Sequence, residues 1–124
     1  VLKVDGYAME IEPRDSKRIN KVYDFVRDNF QRQISLDEIA DVVSLTETAF
    51  CRYFKKLSGK TFTQFVNEYR LVHASKLLSE RPDNITDICF ECGFNNFSLF
   101  NKLFKAFTGK SPSRYRNEMT TIVK

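Results

Sequence analysis

A chain of 124 residues with 42% hydrophobic residues and twelve phenylalanines carries enough apolar material for a packed core, which excludes a disordered tail. Four glycines and three prolines among many long helix formers favour an all-α chain. No stretch reads as a signal peptide or approaches the roughly 20 apolar residues of a membrane span, so a cytoplasmic location is expected, while a net charge of +4 is too small to name a polyanionic partner by itself.

Residues 1–13 alternate loosely, with Leu2, Val4, Tyr7, Met9 and Ile11 around an Asp5-Gly6 turn signal, the pattern of a hairpin. The chain opens on Val rather than Met, and residues 1–14 are read as a tail or the remnant of an upstream domain. Asp15 or Ser16 is expected to cap a helix ending near Phe30, with Ile19, Val22, Tyr23, Val26 and Phe30 on one face. Ser35-Leu36-Asp37-Glu38 forms a capping-box pattern opening a short helix over 36–43. Val43-Ser44-Leu45 turns the chain, Thr46 caps a helix over 47–57, and Gly59 stops it. A second capping-box pattern, Thr61-Phe62-Thr63-Gln64, starts a helix to about Ser79, roughly 27 Å long at 1.5 Å per residue. Its apolar positions are Phe65, Val66, Tyr69, Val72, Ala74, Leu77 and Leu78, and Arg81-Pro82-Asp83 breaks it. Asn84 caps a helix over 85–92, Gly93 supplies a tight turn, and a helix follows over 97–107. Ser111-Pro112 opens a last helix to about Thr120, leaving 121–124 as a tail.

Two parts of this series repeat each other about fifty residues apart. Ile39-Ala40 matches Ile88-Cys89, and Val43 matches Cys92. Phe50, Phe54, Lys55, Gly59, Lys60 and Thr61 match Phe100, Phe104, Lys105, Gly109, Lys110 and Ser111. The repeated unit is a short helix, a tight turn and a second helix. Winding the second helices at about 100° per residue separates their faces. Phe50, Tyr53, Phe54 and Leu57 are expected inside, as are Phe100, Leu103, Phe104 and Phe107. Thr48, Cys51, Arg52 and Lys55 face outward, as do Ser98, Asn101, Lys102 and Lys105.

Charge follows the repeat. Phe50 to Asn67 holds four basic residues and no acid, and Cys92 to Asn117 holds five, again with no acid. A solvated face explains one such run; two at equivalent positions point to a polyanion. Short polar and basic side chains on an exposed helix can read base edges in a major groove. Arg52 and Lys102 suit guanine, Asn101 suits adenine, and Thr48 or Cys51 can touch a thymine methyl. Lys55, Lys60, Lys105 and Lys110 lie further along and suit phosphates, and Thr46 and Asn96, just before the two helices, are taken as phosphate contacts too. Phe97 is expected to pack rather than touch a base.

The Cys89-x-x-Cys92 pair invites a zinc or redox reading. There is no second pair and His73 is the only histidine, so four ligands are lacking unless a carboxylate joins. The deaminase signature is absent as well, with Ser75 two residues after His73 and Ile88 before Cys89. Cys89 and Cys92 align with Ala40 and Val43 and are expected to be small buried residues. Three cysteines, an odd number, suit a reducing compartment. No metal, cofactor or catalytic group is expected.

These residues resemble the DNA-binding domain of the AraC/XylS transcription regulators. The first signature is met from Ile39 to Gly59, the connecting-helix pattern at Arg70-Leu71, Ala74 and Leu77-Leu78, and the second at Ile88, Gly93-Phe94, Phe100, Phe104-Lys105, Gly109, Ser111-Pro112 and Tyr115-Arg116. The resemblance covers about residues 17–118 and implies two helix-turn-helix subdomains, about seven helices in all, built as homeodomain-like three-helix units. The subdomains are expected over 15–60 and 81–120, joined by a long linker helix over 61–80. The family's base-reading positions fall on Thr48, Cys51, Arg52, Ser98, Asn101 and Lys102. Three departures stand out: Cys89 for the usual Ala, Ser44 for Gly in the first turn, and Cys51 as an unusual reader. The resemblance implies an activator that binds double-stranded DNA in successive major grooves and contacts RNA polymerase, with an upstream effector-binding or dimerisation domain. The unlike outer faces imply an asymmetric operator. The competing readings are a thiol or metal enzyme built on Cys89 and Cys92, and a protein-interaction module whose repeats no longer bind DNA.

Overall fold

The computed structural model describes the backbone of residues 2–4, 7–9 and 13–123 and the side chains of residues 15–120. The fold is all-α apart from a short antiparallel ribbon. Strands β1 (Leu2–Val4) and β2 (Tyr7–Met9) pair Leu2 with Met9 and Val4 with Tyr7. The Asp5-Gly6 turn and Ile11 lie outside the described residues. Seven helices follow among the described residues: α1 (Pro13–Asn29), α2 (Leu36–Val42), α3 (Glu47–Ser58), α4 (Phe62–Glu80), α5 (Ile85–Glu91), α6 (Phe97–Thr108) and α7 (Pro112–Val123). Helix α1 starts upstream of the expected Asp15 or Ser16 cap. A proline's fixed φ suits a first helical position, and Asp15 then sits in the first turn, where a carboxylate favours the helix dipole.

The chain divides into two compact units, Val1–Val66 and Asn67–Lys124, and the boundary falls inside α4. In the first unit, Ile19, Val22 and Val26 of α1 are buried with Ile39, Ala40, Phe50, Phe54 and Phe62. Rings set edge to face, such as Phe54 against Phe62 at 5.7 Å and Phe65 at 5.5 Å, fill this core. The Tyr53 hydroxyl donates to the Asp15 carbonyl at 3.2 Å, tying α3 to α1.

In the second unit, Leu71, Ala74 and Leu78 of α4 are buried with Ile88, Cys89, Cys92, Phe94, Phe100 and Phe104. Phe104 meets Tyr115 of α7 edge to face at 5.4 Å, the counterpart of Phe54 and Phe65. Phe97 packs against this core, 6.1 Å from Phe100. The Arg70 guanidinium lies over the Phe94 ring, 5.8 Å from its centre.

Two of the apolar positions named above are exposed, Phe107 among those expected inside. Phe107 is 45% exposed and Val72 is 56% exposed. The buried arc of α6 is narrow, centred on Phe100 and Phe104, and Phe107 falls on its flank. Leu57, at the matching place in α3, is buried instead.

Candidate nucleic-acid interface

Helices α3 and α6 are built to one plan. Each has twelve residues, about 18 Å. Thr46 Oγ1 accepts the Ala49 N–H at 3.1 Å, and Asn96 Oδ1 accepts the Leu99 N–H at 2.9 Å, so each helix starts on a side-chain cap. Each stops at a left-handed glycine, Gly59 at φ 77° and Gly109 at φ 84°, whose N–H closes onto Lys55 or Lys105. The turns beyond are also alike. Ser58 Oγ donates to the Phe54 carbonyl at 2.7 Å and accepts the Lys60 N–H at 3.2 Å; Thr108 Oγ1 does the same with Phe104 at 2.8 Å and Lys110 at 3.2 Å.

The base-reading candidates fall on these two helices. On α3, Thr48, Cys51 and Arg52 are exposed together, spaced so that they share one face with Lys55. On α6, Ser98 and Lys102 are exposed while Asn101 is half-buried at the edge of the core. Arg52, Lys102 and Lys105 make no hydrogen bond or ion pair through their side chains among the described residues. Leu99, 43% exposed on the outer part of α6, belongs to this surface too. Helical winding puts it only about 60° from Lys102, a signal that its apolar character masks.

The phosphate candidates differ in how free their polar groups are. Lys105 is exposed. Lys55 Nζ donates to the Gly59 carbonyl at 3.2 Å, at the end of its own helix. Lys60 is exposed on its serine-locked turn. Thr46 and Asn96 spend one oxygen on capping, which leaves the Thr46 hydroxyl proton and the Asn96 amide N–H groups as donors. Lys110 forms an ion pair with Glu118 of α7.

The rest of the second basic run is also engaged. Arg114 donates through Nε to Glu118 at 3.1 Å. Arg116 donates to the Leu78 and Arg81 carbonyls at 3.1 and 3.0 Å, finishing the end of α4. Lys102 and Lys105 are the members of that run with no side-chain partner among the described residues. The acid-free run ends at Asn117, and the next residue, Glu118, folds back onto it.

Cys89 and Cys92 sit in the core as free thiols. Burial pushes Cys89 up to about 11 and Cys92 up to about 12, so both hold their protons at neutral pH. No cluster of three or more His, Cys, Asp or Glu that could hold a metal occurs among the described residues. Among them, no helix is long and apolar enough to cross a membrane.

Residues 39–118 match a family described as a helix-turn-helix domain. The chain is 32% identical over 116 residues to the HTH-type transcriptional activator RhaS of Enterobacter sp. (strain 638), covering 94% of this chain and 41% of that one. It therefore spans less than half the length of that relative, and 14% of the length of an uncharacterised HTH-type regulator of Staphylococcus aureus (strain N315) that is 31% identical over 105 residues, 85% of this chain. A transcriptional regulator from Chromobacterium violaceum, of the AraC-type DNA-binding class, superposes with a TM-score of 0.78 at 22% identity, covering 87% of this chain and 96% of that one.

Proposed function

The chain belongs to the AraC-type helix-turn-helix family of DNA-binding transcription regulators, and on that premise we propose that it binds double-stranded DNA sequence-specifically, with α3 and α6 entering successive major grooves. Arg52 and Lys102 then take guanine O6 and N7, Asn101 takes adenine, and Ser98 donates to or accepts from either. Thr48, Cys51 and the exposed Leu99 offer apolar contact to thymine methyls. Thr46, Lys55, Lys60, Asn96, Lys105 and Lys110 hold phosphates, which set register without reading sequence.

One observation carries this reading. Two helices of identical build present exposed polar faces on which Arg52, Lys102 and Lys105 have no intrachain partner among the described residues. Water solvates any one such cation, but exposed basic faces at equivalent places in both copies suit a polyanion. Because the two faces carry different side chains, the operator is asymmetric. The regulator acts as an activator by contacting RNA polymerase.

Fluorescence anisotropy with a random-sequence duplex across a salt series tests the reading. Affinity should fall linearly on a log–log plot with a slope of about −0.9 per phosphate neutralised. Absence of binding at low salt would overturn it.

A further inference from the structure

We propose that Glu118 is an internal competitor for DNA phosphate, limiting how strongly the segment after α6 holds the DNA backbone. The inference rests on the DNA-binding reading above and adds a residue with the opposite sign of effect. Lys110 follows the Gly109 cap directly, and its backbone N–H is held by Thr108 at 3.2 Å, so its side chain leaves the chain at a fixed point. Glu118 reaches back from α7 to pair with Lys110 through one carboxylate oxygen and with Arg114 Nε, at 3.1 Å, through the other. One anion thus occupies two cations beside the reading helix. Those cations also hold the Glu118 carboxyl below its ordinary range.

A phosphate reaching Lys110 exchanges one anionic oxygen acceptor for another. The net gain is therefore smaller than at Lys105, which has no side-chain partner to give up among the described residues. The side chains of Lys110 and Glu118 are both about one-third exposed, so the pair lies at the surface, where such pairs break at little cost. The sequence repeats the theme: Lys60 and Glu68 stand at the same eight-residue spacing as Lys110 and Glu118. The Arg114 position differs between the copies. Gln64 stands where Arg114 does, and it closes a capping box with Thr61 at 3.0 and 3.1 Å. Arg114 cannot accept a hydrogen bond, so its guanidinium is left to pair with Glu118.

The test is duplex binding by the wild type, Glu118→Gln, Lys105→Ala, Lys110→Ala and a Lys110→Ala/Arg114→Ala background with and without Glu118→Gln. Glu118→Gln should bind random and preferred duplexes alike about two- to fivefold more tightly. Lys110→Ala should lose less affinity than Lys105→Ala, and the gain from Glu118→Gln should vanish in the double-alanine background. Unchanged affinity in Glu118→Gln would overturn the inference. Weaker binding would also overturn it, making Glu118 a residue that positions Lys110. If the wild type bound no duplex, the parent reading would fail and this inference with it. If the wild type bound with steep salt dependence and Glu118→Gln matched it, the role of Glu118 alone would fail.

Discussion

Ser44 and Gly93 occupy the same point in the two turns that lead into α3 and α6, and both adopt positive φ, 59° and 102°. The hydrogen bonds around them match. Leu45 N–H donates to the Ala40 carbonyl at 2.9 Å, and Phe94 N–H donates to the Cys89 carbonyl at 3.2 Å. The turn therefore demands left-handed backbone whichever residue fills it, and Ser44 adopts it at the cost of Cβ crowding.

Gly93→Ala should destabilise the protein by about 1–2 kcal/mol, because a Cβ is forced into the left-handed region. Ser44→Gly should stabilise it by about 0.5 kcal/mol, the relief being partly offset by the freer unfolded chain. Urea unfolding checks both. A stabilising Gly93→Ala would show that this turn has another conformation in solution.

The thiols make a second prediction. Cys51 is exposed while Cys89 and Cys92 are buried, so an aromatic disulfide reagent should label one thiol per native chain and three in denaturant. The pH dependence follows from the raised pKa values of the buried pair. Their ordinary value is 9.0, against about 11 and about 12 in the folded chain. The unfolded chain therefore releases these protons first, and stability should be lost as pH rises from about 9 towards 12. A Cys89→Ala/Cys92→Ala variant should show a smaller alkaline fall in its urea midpoint. An equal fall in both proteins would assign the loss to other groups, such as Tyr53, whose hydroxyl is pushed up to about 12 chiefly by burial.

How far the sequence carried depended on whether the signal was local. Helix positions came from caps and stops such as Thr46, Gly59, Asn84 and Gly109, which act within one turn. The outer faces came from helical winding, which places Arg52 and Lys102 on the surface directly. Winding alone misplaced Phe107, because it gives direction but not the width of the arc that neighbouring elements cover. Glu118 escaped notice for a different reason. Its pairing with Lys110 spans a helix end, a locked turn and two turns of α7, a geometry that no fixed periodicity encodes. The demand for positive φ at Ser44 showed only through the resemblance, which has Gly in that turn, because serine itself seldom adopts it.

The reading and the holding residues should separate in binding experiments. Lys105→Ala should weaken binding similarly on every sequence and lower the salt slope by about 1. Arg52→Ala and Asn101→Ala should each cost about 1–3 kcal/mol, chiefly on the preferred site. Half-burial of Asn101 makes its variant the sterner test, since a loss of the same size on random DNA would mark it as a packing residue.

Selection of bound duplexes from a randomised pool asks for sequence specificity and for two unlike reading helices in one measurement. The predicted result is one enriched asymmetric motif with two different elements, one of which relaxes in Arg52→Ala and the other in Lys102→Ala. An unenriched pool, or a palindromic motif altered in the same way by both variants, would rule out reading by two unlike helices.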